Sequence, residues 1–373
     1  IGMSSLEPSE PREAFELWRD KQSGRKAEET LQSYRYRVSP FVDWLEERGI
    51  ENMNEIDGRD ILVFDAQRQE RDVQQNTLNN QFGTIRLFLK FCADIEAVDE
   101  DLPKKVDPPS LSKGERVNRE KVPSERADRI LEYLSRFKYA SRDHVIFLLM
   151  WRTTARLGAI RALDIEDLYL EEDAVERLRY QEDINVDGEI IDEILENVDI
   201  PFIYFRHRPD SDTPLKNRET GGRPVNISED VGEVIQAYIN VNRNEGEDES
   251  GRHPLITTEK GKNARISKGG IRHRIYILTQ PCQLDRDCPH GREIESCEAR
   301  EHGYESRCPS ARSPHKVRTG SITWHRDRGW PPEVLAEKAN TSVEMINDVY
   351  DQPEQLKRMN SRREFLKNLE ENK

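Results

Sequence analysis

The chain has 373 residues, a length that suits two domains plus an insertion better than a single core. Charged and hydrophobic residues each make up 35% of it, and the formal net charge is −14. Its longest apolar run, residues 145–151, is too short to cross a bilayer, and the start has no signal-peptide pattern. We therefore expect a soluble, cytoplasmic protein without a membrane partner.

The acidity argues against a nucleic-acid partner, because phosphate neutralisation supplies much of the affinity of DNA-binding proteins. Either the partner is not DNA, or the acidic groups form a solvated surface adapted to high intracellular salt, with basic residues kept for one face. Acidic runs at residues 171–199 and 245–249 are separate from basic runs at 104–121 and 265–274. This segregation favours the second interpretation.

The first hundred residues predict helices. One apolar face recurs at spacings of three and four, through Leu31, Tyr34, Val38, Phe41 and Leu45. Gly49 follows as a helix stop, and residues 60–70 form a shorter helix. The next helix begins near Asn76 and Thr77, either of which can cap it, and buries Leu78, Phe82, Ile85, Leu89 and Cys92. With one earlier helix, the economical result is a four-helix unit.

Residues 101–122 differ in composition, because prolines and Gly114 interrupt helix and basic residues accumulate. We interpret this segment as a linker that runs along a DNA backbone. The basic residues concerned include Lys104, Lys105, Arg116 and Arg119. The alternative is a solvated connector.

Beyond the linker, Ser124 is a candidate cap for a helix to Phe137, and residues 144–151 begin a buried helix. Residues 200–205 predict a strand, 214–223 a polar turn, and 224–227 the returning strand. Helix returns after residue 331. The second domain should be mainly helical with a small sheet.

Five residues of this domain supply the chemistry of phosphodiester exchange without a metal: Arg156, Lys216, His315, Arg318 and Tyr350. Two guanidiniums match the charged oxygens of the in-line transition state. A phenol can hold the phosphate covalently, a lysine can protonate a leaving oxygen, and an imidazole can move protons near neutrality. Each residue alone is unremarkable, and their order and context make the set informative.

In order and context these residues resemble the tyrosine recombinases, or phage-type integrases. The segment 156–164 is similar to the family's first arginine box, His315-Lys316-Val317-Arg318 to the second, and residues 339–350 to the last. The family usually has His or Trp nine residues before the tyrosine, where this chain has Thr341 beside Asn340. One of these two residues then serves as a phosphate donor.

The resemblance implies a mainly α fold with a small β-sheet. A SAM-like four-helix core-binding domain (residues 1–100) would precede the linker, an α+β catalytic domain (123–352) and a tail helix (353–373). The helix of Asn76 and Thr77 would face the DNA. Tyr350 would form a 3′-phosphotyrosyl intermediate, with Lys216 as acid and His315 assisting. Double-stranded DNA, a homotetramer on paired sites and no catalytic cofactor are implied. Acidity, residues 206–209 and the cysteine-rich insertion are similar to versions from halophilic archaea.

Four cysteines lie within an insertion at residues 279–312, namely Cys282, Cys288, Cys297 and Cys308. In a reducing cytosol this grouping favours a structural Zn²⁺ over disulfides. The intervals lack Cys-x-x-Cys pairs, so a loop of unligated thiols is the alternative.

Two other functions stay open. The chain can be a non-catalytic DNA-binding regulator or accessory factor on the same scaffold, or a zinc-stabilised module whose acidic face binds a basic protein. The docking place of the tail helix is open as well: it docks either on a neighbouring protomer or on its own domain.

Overall fold

The computed structural model describes residues 6–26, 28–71, 73–112, 120–180, 197–258, 263–284, 287–350 and 359. The side chains at 179–180 and 349–350 lie outside this description, as do Arg116, Arg119 and nearly all of the predicted tail helix. The chain divides into two compact units, residues 1–118 and 119–373. Among the described helices, none combines the length and apolarity needed to span a bilayer.

The first unit is helical around one apolar core. Its helices are α1 (Pro11–Ser23), α2 (Glu28–Glu47), α3 (Gly58–Gln69), α4 (Gln75–Asp94) and the short α5 (Leu102–Lys105). The predicted stripe of α4 is confirmed, because all five of its residues are buried. Gly49 has φ +74° after α2, a backbone conformation that glycine adopts at no steric cost.

Two details of the first unit differ from the sequence prediction. The N-cap of α4 is Gln74, so Asn76 and Thr77 lie inside the first turn and cap nothing. The predicted linker also begins inside the core, since Leu102 and Val106 are buried against it. Pro103 is the second residue of α5 and does not break it, because proline in the first helical turn lacks only an N–H that the helix leaves unpaired there.

The second unit combines helices with one three-stranded sheet. Its helices are α6 (Ser124–Phe137), α7 (Arg142–Thr153), α8 (Leu157–Ala162), α9 (Glu172–Val175), α10 (Glu229–Ala237), α11 (Lys268–Leu278), α12 (Pro314–Asp327), α13 (Pro332–Ala339) and α14 (Val343–Met345). Its strands are β1 (Leu168–Tyr169), β2 (Phe202–Phe205) and β3 (Arg223–Asn226). The fold class predicted from the sequence is confirmed.

The sheet has the order β1-β2-β3, and both pairs are antiparallel. Phe205 lies opposite Arg223, so the predicted pairing of the two strands is confirmed and residues 206–222 connect them. The predicted cap of α6 is wrong by one residue. Pro123 takes the N-cap position and Ser124 is the first helical residue.

The core of the second unit surrounds α7, which is buried on all sides from Asp143 to Trp151, as its continuous apolar run predicted. The helix ends at Thr154, whose left-handed backbone (φ +56°) turns the chain sharply into α8. This turn places Arg156 at the N-cap of α8. The core therefore fixes the first of the predicted catalytic residues.

Candidate active site

The site is built around the last carbonyl groups of α13, which three arginines from distant parts of the chain hold together. Arg223 Nε donates to the carbonyl of Lys338 (2.9 Å), Arg318 Nη2 to that of Ala339 (2.7 Å), and Arg156 Nη1 to that of Asn340 (2.7 Å). Helix C-termini leave such carbonyls without intrahelical partners. We call these three side chains the arginine cradle.

Arg156 and Arg318 are also joined through the turn between α7 and α8. Arg318 is 1% exposed and donates a second hydrogen bond to the carbonyl of Thr154. Because α12 carries both His315 and Arg318, three residues apart, the two side chains share one helical face. The structure thus brings together three of the residues predicted from the motifs.

Arg223 was not predicted from the sequence. It begins β3, and its guanidinium stacks on the Phe205 ring at 4.9 Å. Burial lowers its pKa to about 9, and the charges of Arg318 and Arg156 add to this effect. The only sequence signal is its place at the start of the returning strand, where a charged side chain faces an aromatic residue on the paired strand.

Lys338 adds a fourth cation at the end of α13. Burial lowers the pKa of its ammonium to about 8, with a smaller contribution from Arg223. Its Nζ donates to the carbonyl of Asn226 at 3.3 Å. Cations gathered closely enough to depress one another's pKa values form a region where an anion is favoured.

Lys216 lies in the connection between β2 and β3, and its side chain is exposed. Its carbonyl accepts a hydrogen bond from Asn340 Nδ2 (3.1 Å), and Asn217 Nδ2 donates to Asn340 Oδ1 (2.9 Å). A Cβ at Gly221 would lie 2.6 Å from the Lys216 carbonyl, so only glycine permits this close approach. Asn340 therefore ties the Lys216 segment to the end of α13.

Asn340 and Thr341 differ in a way that the sequence left open. Asn340 ends α13 in the left-handed conformation (φ +50°), and its amide is used in the contacts with the Lys216 segment. Thr341 is half-buried, and its hydroxyl has no hydrogen-bond partner among the described residues. Of the two side chains, that of Asn340 is the one engaged in contacts within the described part of the site.

The segment that carries Tyr350 is anchored beside the cradle. Residues Ile346–Tyr350 form a π-helical turn after α14. Ile346 is fully buried in a small cluster with Ile322 of α12 and with Leu335, Ala336 and Ala339 of α13. The turn that carries the predicted nucleophile is therefore packed against α12, which carries Arg318, and against α13, whose end supplies the cradle carbonyls.

His315 is solvent exposed, yet its pKa is lowered by partial desolvation and then by Arg318, Lys316 and Arg156. In the DNA-free protein we expect its ring to stay neutral below pH 6.5, the ordinary imidazole value. An NMR titration of the histidines measures this. The variant Lys316→Gln should raise the His315 pKa towards 6.5, and an unchanged or lower value would contradict this electrostatic explanation.

The predicted DNA-binding residues of the first unit have different surroundings. Asn76 and Thr77 are exposed on α4. Lys104 forms an exposed ion pair with Asp101 at 2.5 Å, and Lys105 is exposed beside the start of α3. An exposed ion pair of this kind is weak.

The predicted cysteine site stays a prediction, and three of its four cysteines are close enough to interact. All four cysteines are free thiols, and only Cys308 is buried. Burial raises the pKa of Cys282, and neighbouring Cys308 and Cys288 contribute to this. Among the described residues, the group whose ligand atoms all lie within 4.8 Å of one another is instead His273, His302 and Glu305.

Comparison with known proteins agrees with this architecture. Residues 16–94 match the family model of the phage integrase N-terminal SAM-like domain. The tyrosine recombinase XerC of Roseiflexus castenholzii is 24% identical over 148 residues, which is 39% of this chain and 46% of that protein. XerC of Roseiflexus sp. strain RS-1 is 25% identical over 146 residues. The chain thus matches about half the length of these relatives.

Solved structures extend the likeness to the whole fold. The Tn1549 transposon integrase in complex with circular intermediate DNA matches with a TM-score of 0.58 and 14% identity, over 97% of this chain and all of that one. A lambda integrase dimer bound to a core site matches with a TM-score of 0.56 and 10% identity, over 92% of this chain and 78% of that one. The resemblance to tyrosine recombinases is therefore confirmed in the N-terminal domain and the fold.

Proposed function

We propose that this chain is a site-specific DNA recombinase that cuts and rejoins strands through a 3′-phosphotyrosyl intermediate. The observation that carries the proposal is the arginine cradle. Arg156 and Arg318, found from the sequence, converge on adjacent carbonyls of α13 at the same distance of 2.7 Å. Guanidiniums held in this way match the oxygens of a phosphodiester.

In the proposed reaction, Arg156 and Arg318 bind the non-bridging oxygens of the scissile phosphate, and Thr341 donates to one of them. The Tyr350 oxygen attacks phosphorus as the bond to the 5′-oxygen breaks, and His315 assists removal of the phenolic proton. Lys216 protonates the departing 5′-oxygen, which leaves as a hydroxyl. The reverse attack by another strand's 5′-hydroxyl restores the phosphodiester and frees the tyrosine. No step uses a metal or another cofactor.

Arg223 acts in this scheme as a positioning residue. It holds the Lys338 carbonyl next to the two carbonyls held by Arg318 and Arg156. When a phosphate binds, charge on its oxygens competes with these carbonyls for the guanidinium donors. Arg223 keeps the end of α13, and with it the chain towards Tyr350, in place during that exchange.

The DNA partner would be duplex, bound by both units. The exposed first turn of α4, with Asn76 and Thr77, and the basic segment with Lys104, Lys105, Arg116 and Arg119 would contact its backbone. Four protomers would act on two paired sites in the cytoplasm. The acidic remainder of the surface would limit non-specific binding by repelling DNA.

A nicked suicide duplex tests the proposal, because loss of a short leaving strand traps the intermediate. Wild-type protein should give a covalent adduct that survives SDS, and Tyr350→Phe should abolish it because the attacking oxygen is missing. Gel mobility measures the adduct, and peptide mapping locates it. Tyr304→Phe, a change at an exposed residue of the insertion, is the matched control and should retain it.

The alternatives give different results in the same assay. DNA binding without any adduct would favour a non-catalytic DNA-binding protein on this scaffold. Absence of DNA affinity even at low salt would favour an interaction module for a basic protein. A structural Zn²⁺ on the four cysteines stays a prediction, and the metal experiment described next also tests it.

A further inference from the structure

The insertion approaches α11 through three side chains that bind transition metals. His273 lies on α11, while His302 and Glu305 lie in the insertion, where Glu305 begins the 3-10 turn Glu305–Arg307. His273 Nδ1 is 2.7 Å from Glu305 Oε1, and His302 Nδ1 is 3.9 Å from the same oxygen. One ligand atom of each residue lies within 4.8 Å of the other two.

The geometry of this group differs from that of an ordinary His–Glu ion pair. His273 Nδ1 is buried, and its 2.7 Å contact with the Glu305 carboxylate is poorly aligned for a hydrogen bond. A well-formed hydrogen bond requires the N–H to point at the oxygen. A metal ion shared by the two atoms would account for a contact that is short but poorly aligned.

Glu305 places a buried carboxylate at the centre of this group. The residue is 5% exposed, and Gly303 N–H donates to Oε1 at 2.8 Å. Carboxylates are almost never buried unless they are paired or coordinate a metal, and here the two histidines are the groups next to it. His302 is 89% exposed in its side chain, so one side of the group is open to an entering ion.

We propose that His273, His302 and Glu305 bind a divalent transition-metal ion that fastens the insertion to α11. Two imidazoles and a carboxylate form a donor set that Zn²⁺ accepts, with metal–ligand distances of roughly 2.0–2.2 Å. Two ligand atoms of one such ion lie roughly 3.3–3.5 Å apart. The distances from Glu305 Oε1 to His273 Nδ1 and to His302 Nδ1, 2.7 and 3.9 Å, lie on either side of this value. Water or another ligand would complete the tetrahedron.

Few apolar contacts hold the described part of the insertion, and hydrogen bonds supply most of its attachment. Ala299 and Cys308 are its buried apolar residues in the described part of the chain, and its regular structure there consists of short 3-10 turns. Gln280 Nε2 donates to the carbonyls of Ala299 and Glu305 at 2.9 and 3.1 Å. A metal bound to residues of both the insertion and α11 would add folding free energy in a place where hydrophobic burial is small.

Metal binding by the full-length chain tests the proposal independently of any DNA reaction. Chelator-treated protein is titrated with Zn²⁺ or Co²⁺, and bound metal and melting temperature are measured. We expect one ion per chain, a higher melting temperature with the ion, and a Co²⁺ spectrum without a thiolate charge-transfer band. His302→Gln should weaken binding by more than about 100-fold, because outer-shell partners alone are worth about 10–100-fold.

The exposure of His302 means that its replacement removes a ligand without disturbing a core. His290→Gln is the matched control, since this half-buried histidine of the insertion contacts Ser310 Oγ at 3.0 Å and should keep its metal. The proposal is overturned if no ion binds, if His302→Gln retains full affinity, or if Co²⁺ shows thiolate ligation. The last result would assign the ion to the cysteines.

Discussion

Arg318→Lys is expected to reduce covalent adduct formation on a nicked duplex by about 100-fold or more. Removal of a single preorganised donor to a developing oxyanion typically costs about 100- to 1000-fold in rate. Lysine keeps the positive charge but loses the planar fork that reaches both the Thr154 and Ala339 carbonyls. Single-turnover adduct formation, measured at saturating protein, separates this loss from weaker DNA binding.

A matched arginine at the end of the same helix provides the control. Arg328 is exposed, and its guanidinium lies over the Trp324 ring at 3.8 Å, so Arg328→Lys should keep an adduct rate close to wild type. Thermal melting of both variants checks the fold, because Arg318 is buried and holds two backbone carbonyls. A folded Arg318→Lys protein with an unchanged rate would show that the cradle does not bind the scissile phosphate.

Short sequence motifs predicted Arg156, His315 and Arg318, because each of them lies in a local pattern of the sequence. His315 and Arg318 lie on one helical turn, and Arg156 follows a buried helix whose apolar run fixes its end. Arg223 lacked such a signal, and so did the contacts between the Asn340 side chain and the Lys216 segment. Their partners lie far along the chain, and a hydrogen bond between Arg223 and the Lys338 carbonyl spans 115 residues. Contacts of that range depend on packing that no local pattern encodes.

Helix boundaries show the same division between local and tertiary information. The periodicity of α4 predicted its buried face, but Asn76 and Thr77 were wrongly predicted as caps, because Gln74 precedes them with extended backbone and starts the helix earlier. Residues 101–106 contain proline and lysines and predicted a linker. Leu102 and Val106 nevertheless pack in the first unit's core, since an apolar pair four residues apart can bury one face of a short helix.

A few acidic groups lie inside the second unit rather than on its surface. Asp164, Asp167 and Asp248 are embedded among arginines that follow β2 and arginines of later loops. The arginines in these ion pairs are Arg206, Arg208, Arg252 and Arg265. Because the arginines of this network outnumber its carboxylates, the acidic excess of the chain lies outside it. The network also joins Asp164, the last residue of the 156–164 segment, to the residues that follow β2.

Asp167→Asn should lower the free energy of unfolding of the second unit by about 3–5 kcal/mol, the cost of leaving a buried charge without its partner. Asp167 is 0% exposed, and its carboxylate lies 2.7 Å from Arg206 Nη1 and 2.6 Å from Arg208 Nη2. Its second oxygen also accepts the backbone N–H of Asp164 at 3.0 Å. Asparagine keeps the shape but removes the charge. Urea unfolding, followed by tryptophan fluorescence, measures the change.

Asp212→Asn tests whether the expected loss of stability at Asp167 comes from the burial of that carboxylate or only from its ion pairs. Asp212 Oδ2 lies 2.7 Å from Arg161 Nη2, a distance equal to that of the Asp167–Arg206 pair, but the Asp212 side chain is 83% exposed. The Arg161 side chain is 10% exposed, but it keeps its hydrogen bonds to the carbonyls of Ile266 and Asp212 in the variant, so the expected loss is at most about 1 kcal/mol. Equal losses in the two variants would mean that solvent reaches Asp167 and that Arg206 is not desolvated. A large loss at Asp167 alone would show that this buried network, rather than apolar packing alone, holds the end of β2 against the turn that precedes β1.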